Sequence, residues 1–328
     1  MNSPVVAVFM VTYNHENYIG QAIESVLIQK TTFPVKLFIG EDCSTDQTEA
    51  ICLKYKEENP EIIDVRFNKQ NLGAINNAKQ IFEACFSSGA KYIAMLEGDD
   101  YWTDPYKLQK QVDFLDANED FAICHHNIKV IYDDGRESHL SNSTDQKGIT
   151  TIEDLAHSNY IYTASCVFRN GLVKEFPVWL NNSIVGDYVL HMLNAKYGKI
   201  KFIPDVMGVY RIHKGGTWEN MNYISRIENW VELLELMKNH FSTEIVDIFK
   251  QTQSNYYSNL ISYYNNNSEK CKYYSKLKID CNPFLIIELI KQIEELQNRN
   301  KIVLNSKTYK LGTFILKPYS FLKQILNV

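Results

Sequence analysis

The chain of 328 residues has no Cys-x-x-Cys pair and an odd number of cysteines, seven: Cys43, Cys52, Cys85, Cys124, Cys166, Cys271 and Cys281. A disulfide framework and a zinc knuckle are therefore not expected, and a reducing cytoplasm fits better. No run of about 18 apolar residues occurs, so no transmembrane helix is expected. The N-terminus enters an apolar stretch with no basic segment before it, and so does not read as a signal peptide. Positive charge is not in excess: Lys plus Arg is 34 and Asp plus Glu 39, a net charge of −5. That balance gives no reason to expect nucleic acid as a partner. Asn142-Ser143-Thr144 has glycosylation spacing, which carries no meaning in a cytoplasmic protein.

What is present is a globular composition, 45% apolar and 22% charged, on a chain long enough for two domains or one large domain with an appendage. Residues 5–12 form a continuous apolar run, as a strand buried on both faces requires. Helical spacing follows at Ala22, Ile23, Val26 and Leu27. Strands are predicted at 35–39, 62–67, 92–96 and 121–124, with helices at 45–59 and 75–86. Ser44 or Thr45 is the expected cap of the first of these helices. A further helix is expected from Pro105 to Leu115. This alternation implies a mostly parallel sheet flanked by helices, with ligands beyond the carboxyl ends of the strands. After about residue 220 the pattern changes to helices at 224–236, 245–264 and 286–296, in a region rich in Tyr, Asn and Lys.

Three predicted strand ends carry polar groups. Glu97-Gly98-Asp99-Asp100 follows the fourth strand. Its oxygen ligands suit Mg²⁺ or Mn²⁺ on a phosphate, although a solvated acidic turn reads equally well. Glu41-Asp42-Cys43-Ser44-Thr45-Asp46 follows the second, where helix capping explains part of the pattern. Val11-Thr12-Tyr13-Asn14 ends the first, and alone is a turn.

Taken in order, these stretches resemble family 2 glycosyltransferases of the GT-A fold, of the inverting, bacterial surface-polysaccharide type. The resemblance covers roughly residues 4–218. It rests on Val11-Thr12-Tyr13-Asn14 with Ala22-Ile23-Glu24-Ser25-Val26-Leu27-Ile28-Gln29, then Asp42-Cys43-Ser44-Thr45-Asp46-Gln47-Thr48, Asn71-Leu72-Gly73, and Leu96-Glu97-Gly98-Asp99-Asp100-Tyr101-Trp102. It implies that Thr12, Tyr13, Asn14 and Glu16 line a nucleotide pocket and that Asp42 faces the base, usually uracil. Glu97-Gly98-Asp99 stands in place of the family's Asp-x-Asp motif. Asp99 would hold the metal on the diphosphate, with Glu97 near the ribose or sugar. The chain departs from the family at Cys43, where a residue tolerant of positive φ is usual, and at Glu97, which replaces an Asp. Asn76 and Asn77 stand where an Arg is often found.

The resemblance also implies an acceptor-side base. Asp187, in Val185-Gly186-Asp187-Tyr188, matches that position, and a carboxylate there can take the proton of an acceptor hydroxyl. The plainer alternative is a carboxylate favoured by a helix N-terminus. In Tyr210-Arg211-Ile212-His213-Lys214-Gly215-Gly216, His213 is expected to contact the metal or a phosphate. Arg211 and Lys214 would offset phosphate charge, and a salt bridge inside the fold is an equal reading for Arg211. Of His125 and His126, adjacent on a strand, one is expected to reach the site while the other packs. Tyr101 and Trp102 either shape the sugar pocket or lie buried under the acidic loop.

The expected organisation is a catalytic domain over 1–220 (nucleotide-sugar half 1–104, acceptor half 105–220), a helical extension over 221–295 and a tail over 296–328. The tail holds Arg299, Lys301, Lys307, Lys310, Lys317 and Lys323 and no Asp or Glu. With Leu311, Phe314 and Ile315 at helical spacing, it suits an anionic membrane surface, or docking on protein. The expected partners are a nucleotide-sugar donor, a UDP-sugar for preference, and a glycan or lipid-linked acceptor, at the inner face of the cell membrane. The oligomeric state is left open. A nucleotidyltransferase is the rival enzyme, but Thr12-Tyr13-Asn14-His15-Glu16-Asn17 lacks the Gly-rich basic loop for a triphosphate. A non-catalytic binding module on the same fold is the other rival.

Overall fold

The computed structural model describes residues 4–173, 177, 186–216, 221–282, 291, 294 and 295. Val185, the predicted helix over 286–296 apart from residues 291, 294 and 295, and the basic tail lie outside them. The chain divides into two units, Met1–Asn222 and Tyr223–Val328.

The first unit is a ten-stranded sheet covered by helices. Its elements begin β1 (Val6–Thr12), α1 (Ile19–Leu27), β2 (Val35–Glu41), α2 (Thr48–Glu58), β3 (Ile63–Phe67), α3 (Ala74–Ser87) and β4 (Tyr92–Glu97). Then come β5 (Tyr101–Trp102), α4 (Lys107–Ala117), β6 (Phe121–Tyr132), β7 (His139–Leu140), β8 (Ile149–Thr150), α5 (Ile152–His157), β9 (Val167–Arg169), α6 (Gly186–Ala195) and β10 (Lys199–Ile212). The order across the sheet is β3-β2-β1-β4-β9-β6-β10-β5, with β7 beside β6 and β8 beside β10. β3, β2, β1 and β4 pair in parallel, as do β6 and β10. β9 runs antiparallel between β4 and β6, so β4 and β6 point the same way. This is the mostly parallel α/β fold the sequence predicts.

The apolar run in β1 is explained by its place. Val6, Ala7, Val8, Phe9 and Met10 are all buried, because helices cover both faces of the sheet. On α1, Ile19, Ala22, Ile23 and Val26 form the buried stripe. Register sets Thr12 opposite Glu41 and Val11 opposite Glu97. The polar ends of three strands therefore meet at one edge.

A polar layer is enclosed within the fold. Lys107, Gln111, His125, His126, Ser165 and His191 are all fully buried. This corrects the expectation for the paired histidines, since neither reaches the crevice. His125 packs on Tyr160 and Phe202, and His126 Nδ1 bonds the Asn127 carbonyl at 2.7 Å. Burial pushes both imidazoles well below their ordinary range. Trp102 is buried and donates its indole N–H to the Ala164 carbonyl at 2.7 Å, which favours the structural reading of that residue.

Lys107 lies under Trp102, its ammonium 3.8 Å from the ring centroid, and its Nζ has no hydrogen-bond partner among the described residues. Burial lowers its pKa to about 7. The unfolded chain then holds more protons than the folded one between about pH 7 and 10.5, so this residue makes stability rise with pH across that window. Lys107→Met is expected to stabilise the first unit by about 1–4 kcal/mol at pH 7. Thermal melts should show a Tm gap over wild type that narrows from pH 7 to pH 9. A gap independent of pH would contradict a buried, titrating amine.

The second unit contains α7 (Tyr223–Met237), α8 (Thr243–Tyr263) and α9 (Ser268–Cys281); α9 has no counterpart among the predicted helices. Glu228 accepts hydrogen bonds from the hydroxyls of Tyr264 at 3.0 Å and Tyr274 at 2.6 Å. Tyr274 also stacks with Tyr257 and Tyr264. These tyrosines pack helices together.

Candidate active site

The loop after β1 and the loop after β2 are sewn together by residues assigned from sequence to a nucleotide pocket. Asn14, at φ 55°, accepts the Thr45 N–H on Oδ1 at 2.8 Å and donates its own N–H to Ser44 Oγ at 3.0 Å. Glu16 Oε2 accepts the Gln47 N–H at 3.0 Å. Asp46 accepts the Glu16 and Thr48 N–H groups. α2 therefore starts at Thr48, with no side-chain cap from its N-cap residue, Gln47. This corrects the expectation of a Ser44 or Thr45 cap. Tyr13 is left with 41% of its surface exposed.

Glu41 is fully buried and accepts the N–H groups of Cys43 and Ser44 at 3.1 and 2.9 Å. That grip holds Cys43 at φ 59°. The turn thus keeps the left-handed residue that the departure at Cys43 had put in question. Asp42 is buried, and its carboxylate accepts from Leu72 N–H (2.8 Å), Gly73 N–H (2.9 Å) and Asn68 Nδ2 (2.9 Å). It anchors the loop that leads into α3. Contact with a base would use a remaining lone pair of an oxygen already engaged.

Gly98 sits hard against β1. A Cβ there would lie 2.8 Å from Thr12 Cβ and Oγ1. Thr12 is buried beneath it, its hydroxyl without a partner among the described residues. Glycine is thus required for the acidic loop to lie flat on the sheet edge.

Arg211, near the end of β10, holds that loop from the other side. Its N–H donates to Asp100 Oδ1 at 2.8 Å, its Nε to the Asp99 carbonyl at 3.1 Å, and its Nη2 to Gln21 Oε1 at 2.8 Å. The guanidinium lies over the rings of Tyr18 and Tyr101. These contacts favour the structural reading of Arg211, with Tyr101 as part of its seat. Asp100 is buried, with Oδ2 unpartnered among the described residues. Burial, with the charges of Asp99 and Glu97, pushes its pKa well above the ordinary range.

Asp99 and His213 come together as expected. Asp99 Oδ2 lies 3.0 Å from His213 Nε2. The Gly215 N–H points at His213 Nδ1 at 3.2 Å. Since an amide only donates, the neutral ring carries its proton on Nε2 and gives it to Asp99. The sequence reading missed His15, whose Nε2 is 3.6 Å from the same oxygen. It also missed Tyr18, whose ring lies tilted against that of His213, centroids 4.6 Å apart, and whose hydroxyl donates to Asp133 Oδ2 at 2.6 Å. Burial opposes ionisation of Asp99, but the His213 hydrogen bond and the two imidazoles outweigh it and hold its pKa low. Lys214 is exposed.

Asp187 lies in the first turn of α6. Its Oδ2 is 3.5 Å from both Asn159 Nδ2 and Thr163 Oγ1, contacts too long to fix it tightly. Burial first, then the charges of Asp99 and Asp187, raise the pKa of Glu97 to about 8, so Asp187 lies near enough to the acidic loop to act on it.

Asp99 belongs to two groups whose donor atoms lie within 4.8 Å of one another, one with His15 and His213 and one with Glu97 and Asp100. Oxygen and imidazole donors at such separations fit a divalent cation. Coordination by His213 Nε2 calls for the other tautomer, which gives up the Gly215 bond.

Glycosyl transferase family 2 matches residues 7–176. The chain belongs to this family. An uncharacterized protein of Mycobacterium tuberculosis is 34% identical over 225 residues, 68% of this chain and 63% of that protein. This family 2 chain therefore spans under two thirds of that relative's length. The minor teichoic acid biosynthesis protein GgaB of Bacillus subtilis is 27% identical over 254 residues, covering 71% of this chain and 27% of GgaB. Among solved structures, S. aureus TarS 1–349 in complex with UDP aligns over 93% of each chain, with a TM-score of 0.50 and 20% identity. All seven cysteines are free. Among the described residues no helix is long and apolar enough to cross a membrane.

Proposed function

We propose that the protein transfers a sugar from a nucleotide-sugar, a UDP-sugar for preference, to an acceptor hydroxyl with inversion at the anomeric carbon. What supports this reading is the clustering of donor atoms around Asp99, with His213 at 3.0 Å, and the nearness of Asp187, whose charge acts on Glu97. Thr12, Tyr13, Asn14, Glu16 and Asp42 would border the nucleotide, with Gly98 setting the acidic loop beside them. Asp99 and His213 would hold Mg²⁺ or Mn²⁺. When bound, such a cation neutralises charge developing on the leaving diphosphate. Glu97 would meet the ribose or sugar. Asp187 would take the acceptor proton as the hydroxyl attacks from the opposite face. The UDP bound to TarS, alike in fold, supports the choice of donor.

The test is release of UDP from UDP-sugars in the presence of Mn²⁺ and acceptor, with the product anomer read by NMR. Inversion is expected. Retention, or intact donor across a panel that includes GDP- and TDP-sugars, would contradict the reading. A non-catalytic module would bind donor and leave it intact.

The acceptor we propose is a lipid-linked glycan of surface polysaccharide synthesis, in line with the role that GgaB's name gives it. The basic segment 296–328 would bring the enzyme to an anionic membrane from the cytoplasmic side. Full-length protein should float with anionic liposomes and protein lacking 296–328 should not. Equal flotation of both, or of neither, would count against the tail.

A further inference from the structure

We propose that His15 is a third ligand of the divalent cation, which gives a two-histidine, one-carboxylate set of His15, Asp99 and His213 that selects Mn²⁺ over Mg²⁺. This rests on the reading that Asp99 holds a metal. The geometry singles out one oxygen: Nε2 of His15 and Nε2 of His213 converge on Asp99 Oδ2 at 3.6 and 3.0 Å. Of the carboxylates near Asp99, Asp100 is less suited. Asp100 spends Oδ1 on the Arg211 N–H and is only 1% exposed, behind the loop.

His15 is held in place by its backbone. Its N–H donates to Thr48 Oγ1 at 2.8 Å, and its carbonyl accepts the N–H groups of Tyr18 and Ile19 at the start of α1. The ring stands edge-on to that of His213, centroids 5.8 Å apart. Its Nδ1 is buried and, among the described residues, unpartnered. None of these residues therefore fixes the tautomer, and with the proton on Nδ1 the Nε2 lone pair is open to a cation held by Asp99. Both imidazoles keep little exposed surface, 15% for His15 and 6% for His213, so water competes weakly for the same position.

The chemistry follows from ligand type. Mg²⁺ favours oxygen ligands and sheds water reluctantly, whereas imidazole suits the transition metals. A set with two imidazoles and one carboxylate discriminates accordingly. Oxygen ligands alone would not.

The experiment is pulsed EPR of Mn²⁺ bound to the full chain with UDP, which counts directly coordinated imidazole nitrogens. Two are expected for wild type, and one each for His15→Gln and His213→Gln. Mn²⁺ affinity should fall by about tenfold or more in His15→Gln, and Mg²⁺ should displace Mn²⁺ from wild type only in large excess. A single nitrogen in wild type, unchanged by His15→Gln, overturns the proposal and leaves Asp99 and His213 as the metal site. Absence of Mn²⁺ binding with UDP present overturns both. The wild-type spectrum decides even if a variant fails to fold.

Discussion

Asp187→Asn is expected to lower kcat by about 10²- to 10⁴-fold while donor affinity stays nearly unchanged. The substitution keeps the shape of the side chain and its long contacts to Asn159 and Thr163, but an amide cannot accept the hydroxyl proton. Asp187 stands on α6 and not on a loop that would hold the nucleotide, so its loss should cost donor binding little. A variant with wild-type turnover would show that some other group is the base. Loss of donor binding with turnover would instead place Asp187 at the nucleotide. One further effect follows from its charge. Asp187 helps to raise Glu97, so removing it should bring the Glu97 pKa down. An NMR titration of the carboxyl groups in the metal-free protein would read this.

Asp99→Asn carries the second large effect. Asparagine retains an oxygen for the His213 N–H, so the loop has reason to stay in place. The negative charge that would attract a cation is gone. Nucleoside diphosphate binding in Mn²⁺ should weaken by about 10- to 100-fold or more, and the difference between Mn²⁺ and EDTA should disappear. Affinity equal to wild type under both conditions would remove Asp99 from the metal site.

The parallel half of the sheet was legible because burial on both faces writes itself as an apolar run, as in Val6–Thr12. β10 was not. It contains Pro204 and Asp205, and its pairing with β6 shifts register between Ile203 and Val206 and again before Gly208, which destroys any alternation. β5, β7 and β8 are two residues each, too short to carry a period. The start of α2 was misplaced because the acceptors of the Thr45 and Gln47 N–H groups, Asn14 and Glu16, come from another loop. Lys107 sits in a polar-looking helix, and only the fold places it under Trp102.

At the site, the acidic loop, Asp187 and His213 could be named from sequence because each belongs to a recognisable stretch. His15 could not, since its partner Asp99 is 84 positions away and nothing local marks the pair. Its signal was a histidine directly after Asn14 in a loop already assigned to the site. Arg211 could be read two ways until its three donations to Asp100, Asp99 and Gln21 were seen. Cys43 looked like a departure, yet the buried Glu41 imposes the positive φ that the turn needs.

If the site takes a nucleoside diphosphate through a divalent cation held by Asp99, calorimetric titration of the full chain with UDP, GDP and TDP, in Mn²⁺ and in EDTA, reads it without an acceptor. Saturable binding of one of the three, UDP first, is expected in Mn²⁺, with its loss in EDTA. Binding of none in Mn²⁺, or binding of equal strength in EDTA, would contradict it.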